Sequence, residues 1–253
     1  MRLPPGYEPG IFHKDSLRLH YARWGSGPHL LIAFHGFGRT HTDFLRFTRP
    51  MLQVFTVVGV DIFFHGQSGI ENRRADAEPL STQEYQAFFE DLLRHLQAPE
   101  QVYLMGYSLG GRLALKTAEL LPHRVGGLYL FAPDGLTRNR WYVLLSHYAP
   151  GRALFRMVIR HNFWLHALSR FFIAIGIISK RTAEFSMEQM RTPEMQWQVY
   201  HSWCFLRKLE PDFSTFAERL APNETHIDLF FGAYDKIIPR RNARRLERAY
   251  PYL

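Results

Sequence analysis

The stretch from Gln101 to Leu121, QVYLMGYSLGGRLALKTAELL, limits what this chain can fold into more tightly than any other. It opens with Val102-Tyr103-Leu104-Met105, an apolar run suited to a buried strand, and turns abruptly at Gly106-Tyr107-Ser108-Leu109-Gly110-Gly111. Leu113, Ala114, Thr117, Ala118 and Leu121 then recur at helical spacing, with Arg112, Lys116 and Glu119 left for other faces. A serine with glycine two residues away on either side suits a sharp strand-to-helix turn. Strand and helix approach closely there, so Gly106 and Gly110 must be small. Ser108 would then project at a helix N-terminus, whose free N–H groups favour developing negative charge. The five-residue match alone says little, because glycine and serine are common. The strand before it and the helix after it make it specific.

With 253 residues and 46% apolar content, the chain has material for one large domain with a full core. Its formal charge of +8 is local: residues 136–209 hold 11 Lys/Arg and 3 Glu, and the other 20 basic and 20 acidic residues cancel. Arginines scattered singly among aromatics make no dense basic run, which argues against a nucleic-acid partner. The single cysteine, Cys204, forms no internal disulfide and fits a reducing compartment. The opening MRLPPGYEPG lacks the apolar core of a signal peptide, and the longest apolar run, Phe171 to Ile178, is far short of the ~20 residues of a membrane helix. A cytoplasmic protein without a transmembrane segment is the expectation.

In chain order, Ile11-Phe12 and Leu17 to Tyr21 alternate apolar with polar, predicting an antiparallel edge hairpin that turns near Lys14-Asp15-Ser16. Leu30 to Phe34 and Phe55 to Val60 are short apolar runs of the kind buried on both faces of a parallel sheet. Between them His41 to Gln53 reads as a helix. Glu71 to Glu78 is charged and predicts an exposed loop. Thr82 to Gln97 is a well-formed amphipathic helix, capped by Ser81 or Thr82. Gly126 to Pro133 is another apolar strand, and Thr225 to Phe231 the last. Strand and helix in this rhythm imply right-handed crossovers onto a parallel sheet. Ser108 then falls at the carboxyl end of a central strand, where ligands bind in open α/β sheets. Asp134 to about Leu209 breaks the rhythm: it has no clear strand, and is rich in Arg, Trp, Phe, Tyr and His.

The run from Gly106-Tyr107-Ser108-Leu109-Gly110-Gly111 through Pro122-His123-Arg124-Val125 to Leu128-Tyr129-Leu130-Phe131-Ala132-Pro133 resembles the elbow, helix and next strand of the α/β-hydrolase family. The resemblance extends over most of the chain. It implies a hydrolase core in 1–134 and 210–253, a mostly parallel sheet flanked by helices, with 135–209 as a helical cap insertion. It makes Ser108 the nucleophile, supported by Gly106 and Gly110. It also gives the oxyanion hole two donors, the Leu109 N–H and the Phe37 N–H in the turn His35-Gly36-Phe37-Gly38. Losing one such donor typically costs about 10²–10³ in rate. Asp61 to Gly69, DIFFHGQSG, is similar to the family's Asp-x-x-Gly-His-Gly-x-Ser loop, with Phe64 where glycine is usual; Asp61 and His65 read as structural there. Gly232 to Pro239, GAYDKIIP, resembles the turn that presents the triad acid. Asp235 would then fix the tautomer of a histidine and stabilise its imidazolium. The same turn also suits a plain helix cap.

One part of the pattern is missing. The family's order is Ser, acid, His, yet no histidine follows Asp235 and the last is His226. Three readings are open. The sequence is a shortened form of a longer protein, whose further strand and terminal helix carry the base. Alternatively His35 or His65, near the strand ends, substitutes. Or the protein is a non-catalytic relative that binds a ligand, since Ser108 without a base is a weak nucleophile.

The expected function is hydrolysis of a carboxylic ester, lactone or thioester through an acyl-enzyme on Ser108, with carbon–carbon bond hydrolysis of a diketone as the alternative. A serine elbow argues against the haloalkane dehalogenase and epoxide hydrolase branches, which carry Asp there. No metal cluster or phosphate-cradling loop stands out, so no metal or other cofactor is expected. The partner would be a small molecule, an apolar or aromatic acyl compound given the aromatic cap. The cap's arginines admit three readings: a solvated outer face, a site for a carboxylate-bearing substrate, or contact with a membrane surface.

Overall fold

The computed structural model describes residues 3–71, 78–137, 139–176 and 179–250. The described parts of 1–74, 81–137 and 209–253 make one compact unit, and those of 75–80 and 138–208 a second. Residues 72–77, most of the predicted charged loop, and Ile177-Ile178 at the end of the long apolar run lie outside the described residues.

In the first unit, β1 (Glu8–Lys14) and β2 (Leu17–Trp24) form the expected hairpin, turning at Asp15 with φ 51°. β3 (His29–Phe34), β4 (Phe55–Val60), a short β5 (Gly69–Ile70), β6 (Val102–Tyr107), β7 (Val125–Phe131) and β8 (His226–Phe230) complete the sheet among the described residues. Its order is β1-β2-β4-β3-β6-β7-β8, antiparallel up to β4 and parallel from there on, with β5 paired to β2. This is a mostly parallel sheet flanked by helices, as expected. β4 is buried along its whole length because both faces are covered. On one face Trp24, Leu31, Ala33, Val57 and Met105 pack with Phe44, Leu45 and Phe55. Side chains alternate, so the Phe34 ring reaches the other face and meets Phe89.

The predicted helix over 41–53 is broken. A 3₁₀ turn, α1 (Phe44–Phe47) and a second 3₁₀ turn replace it. Pro50 has no N–H to continue an α-helical ladder, and the Thr48 hydroxyl bonds back to the Phe44 carbonyl at 2.8 Å. The same hydroxyl accepts from the Trp24 indole, which fixes the segment to the sheet. α2 (Thr82–His95) begins at Ser81 in a capping box with Glu84, so Ser81 is the cap. α3 (Leu109–Leu120) is buried on nearly every side, its polar residues included. Lys116 and Glu119 pair at 2.9 Å, and Glu119 also accepts from the Asp212 N–H, which satisfies groups that would otherwise be costly to bury.

The second unit is helical: α4 (Arg140–His147), α5 (Ala149–Arg160), α6 (Asn162–Ala174), α7 (Lys180–Glu188) and α8 (Pro193–Phe205). Phe155 packs against Tyr200 and Trp203 between α5 and α8. In the first unit again, α9 (Phe216–Leu220) and α10 (Arg244–Ala249) flank β8, and the Tyr250 hydroxyl donates to the Thr225 carbonyl at 2.6 Å.

Candidate active site

Ser108 stands between β6 and α3 with φ 51° and ψ −115°, a region L-residues avoid at a cost of about 1–3 kcal/mol. The surrounding backbone forces it there. The Ser108 N–H donates to the Phe131 carbonyl at the end of β7, and its carbonyl accepts from Gly111, Arg112 and Asp134 N–H groups. A Cβ on Gly106 would lie 2.6 Å from the Gly110 oxygen, and one on Gly110 would collide with the Phe34 carbonyl. A Cβ on Gly36 would lie 2.7 Å from the Tyr107 ring, so the turn after β3 is pressed against the elbow. The Ser108 hydroxyl makes no hydrogen bond to a described residue. Neither do the Phe37 and Leu109 N–H groups. A half-buried hydroxyl with free donors nearby is an arrangement that can attack a carbonyl and receive the charge that develops on its oxygen.

Asp235 lies in the loop after β8. One carboxylate oxygen accepts from the Ile237 and Ile238 N–H groups at 2.8 and 3.0 Å; the other has no partner among the described residues. β7 separates β8 from β6, so the two strand ends are about 10 Å apart at ordinary strand spacing. A second acidic residue, not singled out from the sequence, is tied to the serine's backbone. Asp134 follows β7, and its N–H is bonded to the Ser108 carbonyl at 2.9 Å. Its carboxylate is 3.8 Å from the Arg112 guanidinium. The position just after the strand next to the elbow was the only signal that could have marked it.

The two histidines considered as substitute bases are both fixed within the fold. His35 Nε2 accepts from the Ile62 N–H at 3.0 Å, so its proton is on Nδ1, which donates to the Gly36 carbonyl at 2.7 Å. Burial, and then the neighbouring His65, push its pKa down to about 3. His65 donates from Nδ1 to the Phe63 carbonyl, and burial lowers its pKa too. Its Nε2 is buried without a partner among the described residues, and its ring meets Phe37 edge-on at 5.0 Å. Phe64, in the usual glycine position, has φ 68°, the conformation that makes glycine the easier choice there.

Asp61 is structural in a fuller sense than its motif suggested. His20 and His41 each donate from Nδ1 to its carboxylate at 2.9 Å, and the His41 and Gln67 N–H groups add to them. Burial acts to raise its pKa, but these hydrogen bonds outweigh it and hold the carboxyl well below the usual range. Tyr7 reaches the far side of the His41 ring at 3.0 Å. Sequence reasoning missed both histidines, since nothing local ties them to Asp61. This trio is the group of metal-binding dimensions found among the described residues. Its atoms sit at hydrogen-bond distance with protons between them, which accounts for all three without an ion. A surface cavity of about 480 Å³ is lined by Ile159, Arg160, Pro193, Gln196 and Trp197 of the helical unit.

A profile of the alpha/beta hydrolase fold matches residues 29–156, half of the chain. The chain belongs to the alpha/beta hydrolase fold family. Among curated proteins, it is 36% identical over 115 residues to an uncharacterized protein of Mycobacterium tuberculosis, covering 46% of this chain and 32% of that one. The match thus spans about a third of the length of the first curated relatives. A pimeloyl-(acyl-carrier protein) methyl ester esterase of Aeromonas hydrophila is 25% identical over 236 residues, covering 90% of this chain and 85% of that protein. In structure, the chain is similar to MGS-M2, an alpha/beta hydrolase enzyme from a deep-sea metagenome library. The TM-score is 0.66 at 14% identity, over 96% of this chain and 86% of that one. The relatives of this alpha/beta hydrolase fold chain include an esterase, and no helix among the described residues is long and apolar enough to cross a membrane.

Proposed function

We propose that this alpha/beta hydrolase cleaves a carboxylic ester, lactone or thioester of an apolar acyl compound through an acyl-enzyme on Ser108. The observation that carries the reading is the elbow, which holds Ser108 in a strained conformation with its hydroxyl free at the start of α3. Ser108 Oγ attacks the carbonyl carbon, and the oxygen becomes an oxyanion held by the Leu109 and Phe37 N–H groups. The intermediate collapses to the acyl-enzyme as the leaving group takes a proton, and water then releases the acid. A base must take the Ser108 proton and return it. One imidazole with a hydrogen bond at each nitrogen spans roughly 8 Å, which suits a histidine between Ser108 and Asp235. His35 does not suit that role, because its Nε2 lone pair is taken by the Ile62 N–H, and His65 is a weak base because burial disfavours its protonated ring. The Aeromonas esterase, whose name specifies a methyl ester, favours an ester over a diketone.

A second reading is a ligand-binding relative that does not hydrolyse. It rests on the absence, among the described residues, of any histidine bonded to the Ser108 hydroxyl. Turnover of p-nitrophenyl esters of increasing acyl length separates the two. The hydrolase reading expects turnover that Ser108→Ala abolishes and Asp235→Asn lowers by about 10³-fold or more, with Asp134→Asn near wild type. A large loss in Asp134→Asn with none in Asp235→Asn would move the acid to Asp134. Tight binding of the esters with no turnover would favour the second reading.

A further inference from the structure

The helical unit carries an apolar helix whose described side chains are at most half-buried. Nine of the thirteen residues of α6, NFWLHALSRFFIA, are apolar, yet none of its described side chains is buried. A helix this apolar ordinarily packs inward or meets lipid. Here Phe163 is 73% exposed, Phe171 55% and Trp164 47%. At about 100° of turn per residue, Phe163, Trp164, Phe171 and Ala174 share one arc of roughly 100°. The exposed Arg170 borders that arc.

The charge flanking this stripe is mostly positive, the nearest acids being Glu184, 3.9 Å from Lys180, and Glu188 on α7. From Gly135 to Ala183 the chain runs 49 residues with eight Arg or Lys and no Asp or Glu. Arg160 before α6, Arg170 within it, and Lys180 and Arg181 after it are exposed. α6 is about 20 Å long, too short for the ~30 Å of a bilayer's hydrocarbon. It can lie on a membrane and cannot span one.

We propose that α6 lies in the interface of an anionic lipid bilayer, with its aromatic stripe at the acyl boundary and the basic residues on headgroup phosphates. Apolar area and positive charge are the two contributions that bind such helices, and each basic residue near an anionic surface adds about fivefold in affinity. Charge also selects against a second copy of the chain as the occupant. Residues 138–208 carry 11 basic and 3 acidic residues, so two such faces would repel.

The test is sedimentation of the full chain with phosphatidylcholine vesicles, with and without phosphatidylglycerol, at low and high salt. Binding is expected to be at least about tenfold stronger with phosphatidylglycerol and to weaken with salt. Phe163→Ser with Trp164→Ser is expected to lower it by about tenfold or more, and Arg170→Glu by at least about fivefold. Circular dichroism checks that these surface variants keep their helices. For the unaltered chain, brominated lipid should quench tryptophan emission in anionic vesicles. The proposal is overturned by equal binding to both vesicle types, by no quenching, or by variants that bind as wild type. It is also overturned if the same substitutions abolish a concentration-dependent dimer while vesicles bind nothing.

Discussion

His35 makes the hydrolase core sensitive to acid, and the size of the effect follows from its two hydrogen bonds. The ring is buried and neutral, with Nε2 accepting from Ile62 and Nδ1 donating to Gly36, so a second proton cannot be added without breaking the Ile62 bond. Its pKa falls from an ordinary 6.5 to about 3. Below pH 6.5 the unfolded chain therefore takes up a proton that the folded chain refuses, and stability drops as pH falls, until about pH 3. At about pH 4.5, two units below the unfolded value, the loss is about 2.5 kcal/mol. His65, also lowered by burial, acts in the same direction. His35→Asn should cost roughly 1–3 kcal/mol at neutral pH, because the Ile62 and Gly36 groups lose their partner. Its further loss between about pH 7 and 4.5 should be smaller than the wild type's by about 2.5 kcal/mol. Urea unfolding followed by circular dichroism at both pH values measures the difference of differences, in which other titrating groups cancel. Parallel losses in wild type and variant, within about 0.5 kcal/mol, would refute the reasoning.

Ser108→Gly should raise stability by about 1 kcal/mol while abolishing the proposed ester hydrolysis, because glycine adopts φ 51° without strain and brings no hydroxyl; a lower melting temperature would contradict the strain argument. Gly110→Ala should cost about 3–5 kcal/mol and all turnover, since its Cβ meets the Phe34 carbonyl and the His35 carbonyl. A folded, active Gly110→Ala enzyme would mean that α3 can move away from β3. Ser81→Ala should cost about 1 kcal/mol through loss of the α2 capping box, read from the thermal midpoint.

The strands and the elbow were legible because their signals are local. β3, β4, β6 and β7 are continuous apolar runs, and Gly106 and Gly110 flank Ser108 at a spacing that only a close strand–helix approach explains. The helix over 41–53 was misread because its apolar spacing is helical, while Pro50 and the Thr48 back-bond decide locally against it. β5 is two residues long and depends on pairing with β2, which no local pattern announces. The Asp61 network was half legible. Its motif marked the carboxylate, but His20 and His41 reach it only through the sheet, from 41 and 20 residues away. Likewise the roles of His35 and His65 turn on which backbone groups their ring nitrogens meet, and spacing along the chain carries no such information.

The most direct test of the central claim is intact-mass spectrometry of the natural protein before and after a fluorophosphonate probe, with Ser108→Ala as the control. A nucleophilic serine at the elbow predicts a single adduct on the wild type and none on Ser108→Ala. An unlabelled wild type, or an adduct that persists in Ser108→Ala, would contradict it.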